Sequence, residues 1–261
     1  MKTQITLLLF ILSLSVSAQS VIVKQIAEFP LEADRFIGVD DYGSQYYIQG
    51  NTLFKKSKDN TYQYSALQLG SLSTVDILNP LKITAFYQAS NTAVILDNTL
   101  SEIKRISFSN IDNFRNVSHA TTANDRRLWI YNIDLQQLEI FDYNTQRIIQ
   151  ASRPITISPE AMTSNFNFCW LLTPSSMSRF NNYGSFLESI PVTELQTLRQ
   201  YNGYLLSWDG IDFKYKRPNQ VEFQKVEIPK IPVKQFSLNN EILYIYDGRK
   251  VTSFQLKQAK D

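Results

Sequence analysis

One cysteine, one histidine and eight glycines in 261 residues are the scarcities that narrow this chain first. A lone Cys169 excludes an intramolecular disulfide. It lies in the apolar run from Phe166 to Leu172 with no neighbouring base, which suits a buried small hydrophobe rather than a nucleophile. With so few glycines there is no glycine-rich phosphate loop and no Gly-x-Ser-x-Gly elbow. A single histidine leaves His119 without an H-x-x-x-H or H-E-x-x-H companion, and metal sites need several converging ligands. The alternating acids with glycine of a Ca²⁺ loop are missing as well.

Charge of one sign is also absent in excess: 26 Lys and Arg face 24 Asp and Glu. That balance predicts neither a nucleic-acid footprint nor attraction to an acidic membrane. The densest basic stretch, Lys214-Tyr-Lys-Arg217, alternates as a strand does and is read as a solvated strand edge. No apolar run approaches the roughly 20 residues of a membrane span. The longest, Ile5 to Leu12, follows Met1-Lys2 and precedes the small residues Val16-Ser-Ala18. Those are the three parts of a secretory signal peptide, placed at residues 1–18 with cleavage after Ala18. No cysteine follows to accept a lipid, so direct membrane insertion is not expected. An exported chain without disulfides must draw its stability from a large core.

What the sequence has in abundance is short apolar or aromatic strands separated by Asn, Asp, Gly and Ser, the chemistry of tight turns. Residues 117–151 are clearest. Val117 to Thr122, Leu128 to Tyr131, Leu138 to Phe141 and Arg147 to Gln150 are joined by Asn124-Asp125, Asn132-Ile-Asp134 and Asp142-Tyr-Asn144. Four strands in an up-and-down meander make one propeller blade. The layout recurs at 35–65, 82–108, 161–190, 196–228 and 235–256, a period of roughly 40 residues that fits blades. The fold expected is therefore all-β, a six-bladed β-propeller, in one domain over residues 19–261. The last unit offers three strands, and Val21 to Ile26 is a strand without a partner. This N-terminal strand is expected to close the last blade and leave no sheet edge open. Residues 66–81 fit no blade strand and read as an excursion between blades; were they a blade of their own, the count would be seven.

The search for chemistry returns little. Most carboxylates, including Asp97, Asp142, Asp209 and Asp247, stand at turns, where Asp bonds its own backbone. Asp40, Asp41 and Asp76 are the least well explained by turns. With His119 on an inner strand, they are the candidate polar residues of a channel-mouth site. For His119 the alternatives are a ligand or base, or a plain polar packing residue. No catalytic, cofactor-binding or metal-binding residue is assigned, and no cofactor is expected. The 14 Tyr, 16 Phe and 3 Trp exceed what one face needs. Tyr143, Tyr183 and Tyr201, at turns, are candidate anchors for a protein partner.

The leader ending Ser-Val-Ser-Ala-Gln, the Asn- and Tyr-rich strands, and the segments Val75 to Tyr87 and Val94 to Ile103 resemble exported propellers of Bacteroidota-type bacteria. Among these they look most like the PorD-like periplasmic propeller proteins associated with the type nine secretion translocon. The resemblance covers residues 75–103 and, loosely, the blade layout. It implies a non-catalytic scaffold or adaptor in the periplasm. Its partners would be envelope or outer-membrane proteins, and nucleic acid would not be among them. The rival expectation is a ligand- or glycan-binding propeller, which needs Asp40, Asp41, Asp76 or His119 to converge.

Overall fold

The computed structural model describes residues 21–192, 195–220 and 222–258; the leader read at residues 1–18 lies outside them. The chain opens with β1 (Val21–Pro30) and then lays down blades in order. Blade 1 holds β2 (Arg35–Val39), β3 (Gln45–Gln49), β4 (Thr52–Lys56) and β5 (Thr61–Ser65). Blade 2 holds β6 (Thr74–Asp76), β7 (Ile83–Tyr87), β8 (Thr92–Leu96) and β9 (Glu102–Ser107). Blade 3 holds β10 (Val117–Thr122), β11 (Arg127–Asn132), β12 (Gln137–Asp142) and β13 (Arg147–Ala151). Blade 4 holds β14 (Ala161–Ser164), β15 (Phe168–Leu172), β16 (Ser176–Asn181) and β17 (Phe186–Pro191). Blade 5 holds β18 (Thr197–Tyr201), β19 (Tyr204–Trp208), β20 (Phe213–Lys216) and β21 (Gln224–Glu227). Blade 6 holds β22 (Gln235–Asn239), β23 (Ile242–Tyr246) and β24 (Lys250–Gln258), completed by β1 on its outer edge. The fold is a six-bladed β-propeller. Among the described residues no helix is long and apolar enough to cross a membrane.

The two-residue side-chain period explains how one strand serves two interfaces. In β11, Leu128 and Ile130 pack into the cluster between blades 2 and 3, while Trp129 and Tyr131 pack into that between blades 3 and 4. In β15, Cys169 and Leu171 face blade 3, and Trp170 and Leu172 face blade 5. Six such clusters alternate with six blades around the ring. The middle strands are consequently buried on both faces, as in β7 and β8, whereas the outer β13 is mostly exposed. The cluster between blades 6 and 1 is the thinnest, with Leu31, Phe36, Val39, Tyr246 and Val251 as its buried members.

That thin closure is reinforced by the expected clasp. β1 pairs antiparallel with β24 from Val21↔Gln258 to Pro30↔Lys250, with a bulge between Gln25 and Ala27. It also pairs in parallel with β21 through Val21↔Val226 and Ile22↔Glu227, so one strand ties the outer edges of blades 5 and 6. Hairpins inside the blades use the expected turn chemistry. Between β18 and β19, Asn202 and Gly203 both have positive φ, 48° and 83°, the geometry a two-residue hairpin needs.

Two expectations are corrected. Residues 66–81 are not an excursion: they hold β6, the innermost strand of blade 2, paired to β7 through Thr74↔Phe86, Val75↔Ala85 and Asp76↔Thr84. A blade of three strands becomes one of four, and the count stays at six. The basic stretch at Lys214 to Arg217 is not a strand edge: β20 lies between β19 and β21, and Lys216 is buried. Lys214 bonds Asp209 at 3.0 Å.

Candidate functional site

The innermost strands β2, β6, β10, β14, β18 and β22 surround a central cavity of about 310 Å³. Asp40, Asp41, Asp76 and His119 all line it, together with Arg35, Arg199, Gln200, Tyr201, Gln235 and Asn239. Sharing a cavity is not convergence: Asp40 and Asp76 are each directed to partners of their own.

Asp40 is a turn residue after all, which corrects its reading. Its Oδ1 accepts the Tyr42 N–H at 3.0 Å and the Ser44 N–H at 2.8 Å, closing the β2–β3 turn. Its Oδ2 accepts the Tyr46 hydroxyl at 2.9 Å and lies 3.9 Å from the Lys55 ammonium. Burial, followed by the Asp40 charge, pushes the Tyr46 phenol far above its ordinary range, so it remains a donor. Asp41 and Tyr201 both line the mouth, and burial, followed by the Asp41 charge, raises the Tyr201 pKa. Asp76 closes β6: Oδ1 accepts the Leu78 N–H at 2.8 Å, and Oδ2 accepts the Thr122 N–H at 2.7 Å and the Thr121 hydroxyl at 2.5 Å. His119 stands on β10 beside a bulge, with Nδ1 2.9 Å from the Ser118 hydroxyl. Burial holds its pKa below the ordinary 6.5, so the ring is neutral at pH 7. Among the described residues no group of three His, Cys, Asp or Glu is placed to hold a metal ion.

Other bonds at the channel cross from one blade to the next. The Arg35 guanidinium of blade 1 donates to the Ser73 and Leu72 carbonyls before blade 2, at 2.9 and 2.7 Å. Asp76 joins blade 2 to blade 3, and the Ser164 hydroxyl of blade 4 donates to the Thr122 carbonyl of blade 3 at 2.6 Å. The Gln200 amide of blade 5 donates to the Ser164 carbonyl of blade 4 at 2.5 Å. Asn239 of blade 6 donates to the Val39 carbonyl of blade 1 at 2.9 Å. Between blades 5 and 6 the Arg199 guanidinium lies 5.6 Å over the Phe236 ring. Each interface of the ring thus has at least one polar or cation–π stitch at the channel. Gly38 permits the close approach of blade 1, since a Cβ there would stand 3.1 Å from Ile77 and from Ser237.

Arg35, Arg199, Gln200 and Asn239 were not singled out from the sequence. The available signal was position: each begins, occupies or ends the first strand of a blade, the strand that lines the channel. The candidate anchors divide. Tyr143 is only 6 % exposed and belongs to the cluster between blades 2 and 3, so it is core and not an anchor. Tyr201 is half-buried and lines the channel mouth. Tyr183 is 70 % exposed, the one of the three presented to solvent. Tyr42 and Ile211 are exposed at other turns.

No protein-family model and no curated protein sequence matches the chain. Its backbone is similar to solved propellers. BamB from Moraxella catarrhalis superposes with a TM-score of 0.54 at 12% identity, over 92% of this chain and 99% of that one. A catalytically inactive virginiamycin B lyase from Staphylococcus aureus with quinupristin gives 0.59 at 11% identity, over 90% and 100%. The WD40 domain of Neurospora crassa Pan2 gives 0.56 at 10% identity, over 87% and 76%. At these identities the likeness is one of fold.

Proposed function

We propose that this chain is a non-catalytic scaffold or adaptor of an outer-membrane protein complex, working in the periplasm. The observation that carries this reading is the use made of the channel carboxylates. Asp40 and Asp76 each hold three or more bonds to backbone and hydroxyl groups of the ring. A general acid or base needs a carboxyl free to meet substrate, with a pKa near the working pH. These groups instead fix the geometry of a rigid disc. Apolar side chains left at the turns, Tyr42, Tyr183 and Ile211 among them, supply rigid anchors of the kind that dominate protein interfaces.

The periplasmic address is supported by the leader read at residues 1–18. Assignment of the complex to type nine protein secretion is supported by the sequence resemblance over residues 75–103. The test is affinity purification from native membranes in mild detergent, with a tag at Asp261. Envelope proteins are expected to co-purify, and Tyr183→Ser combined with Tyr42→Ser should release them while the circular dichroism spectrum stays that of the parent. A protein that elutes alone at every salt concentration overturns the reading.

A further inference from the structure

Among the stitches of the ring, Arg199 is the one whose charge is left over. Its Nη1 donates to the neighbouring Leu198 carbonyl at 3.0 Å, and its guanidinium carbon lies 5.6 Å from the centre of the Phe236 ring. A guanidinium carries several N–H donors, and this carbonyl takes only one. The side chain stays open to water in the channel. Among the described residues no carboxylate lies within 4.0 Å of Arg199 or of Arg35. Both guanidiniums nevertheless line the same cavity.

The acids of that cavity do not relieve this. Asp40 and Asp76 stand where β2 and β6 end and are committed to turns, hydroxyls and the next blade. Among the described residues Asp41 has no cation within 4.0 Å, and it acts on Tyr201, whose pKa its charge raises. Arg35 opens β2 and Arg199 occupies the middle of β18, away from the strand ends where Asp40 and Asp76 stand. Enclosure in the channel, and after it the Arg35 charge, holds the Arg199 pKa below its ordinary value. Two like charges, neither with a carboxylate within 4.0 Å among the described residues, thus share a cavity whose wall also carries Gln200, Gln235 and Thr163.

We propose that the central channel binds a small oxyanion, a carboxylate or phosphate group, with the Arg199 guanidinium as its bidentate partner and Arg35 adding positive potential. The fork of an arginine matches both groups, and the cavity admits a small molecule carrying either. This inference goes beyond the scaffold reading and stands or falls separately from it, because its test needs only the purified protein.

The test is isothermal calorimetry and thermal unfolding with citrate in one arm, inorganic phosphate in the other, and sodium chloride at matched ionic strength as reference. Citrate and phosphate also stabilise proteins without a site, so the variants decide. The wild type should bind one of the two saturably and gain about 3 °C or more in Tm at tenfold excess over Kd. Arg199→Gln should lose the saturable heat and the specific gain. Arg199→Lys, which keeps the charge over Phe236 without the fork, should bind roughly tenfold more weakly. The arm that binds more tightly identifies the source of the anion. Absence of saturable binding in both arms, or equal binding by wild type and Arg199→Gln, overturns the proposal.

Discussion

Asp76 on β6 accepts the Thr122 N–H on β10 at 2.7 Å, so a carboxylate at the end of one blade's inner strand fixes the next blade's inner strand. The same side chain holds the Thr121 hydroxyl and its own turn at Leu78. Bonds to a charged acceptor in a partly buried site contribute more than neutral ones. Asp76→Ala should therefore lower stability by about 2–4 kcal/mol, with Asp76→Asn in between. Urea unfolding followed by tryptophan fluorescence measures it, and a loss under about 0.5 kcal/mol, the size of an ordinary surface change, would show that the stitch carries little.

Glu139 on β12 is 1 % exposed and bonds Arg115 at 2.8 Å. Burial raises its pKa above the ordinary 4.5, against the opposing pull of Arg115 and Asn132. A carboxyl whose folded pKa is raised contributes stability below the unfolded value and loses it as pH rises through the folded value. Glu139→Gln should flatten that decline in a pH series. Arg115→Ala leaves the carboxylate buried and unpaired, a cost of about 3–5 kcal/mol at pH 7. The cost should shrink on acidification toward 4.5, as Glu139 takes up its proton. A penalty independent of pH would contradict this origin.

Removal of β1 deprives blade 6 of its outer strand and the β21 edge of its parallel partner. A chain starting at Leu31 should lose stability globally, with one cooperative transition at lower denaturant concentration. Hydrogen exchange should speed up in blades 1 to 5 as well as in blade 6. Acceleration limited to β24 would mean that the ring is held without its clasp.

Tyr143 and Tyr183 occupy comparable turns yet should respond differently. Tyr143→Ala empties part of the cluster between blades 2 and 3 and should cost about 3–5 kcal/mol, the range for large aromatic truncations. Tyr183→Ala should change stability by no more than about 0.5 kcal/mol and act only on partner binding. Denaturation midpoints separate the two, and equal midpoints for both variants would contradict the burial difference.

Much of the architecture was legible in the residues. Runs such as Leu128-Trp-Ile-Tyr131 set two apolar faces by alternation, and Asn, Asp and Gly between them set the hairpins. Cys169 is buried, and burial pushes its thiol well above its ordinary pKa, as its apolar run implied. The unpaired strand at the N-terminus pointed to the clasp. β6 was hidden because three residues, Thr74-Val-Asp76, are too few to show a period. Tyr143 misled because a turn position says nothing of where the ring folds back, and here it turns into the core.

Sequence by itself determined most of the strands, their turns and the blade repeat, because those depend on alternation and backbone preference within a few residues. Tertiary structure alone decided which polar residues meet in the channel. Arg35 and Arg199 belong to the first and fifth blades, and nothing local to either signals the other. They share one cavity because closing the ring sets every blade's first strand around a common axis, where burial and charge then act on them together.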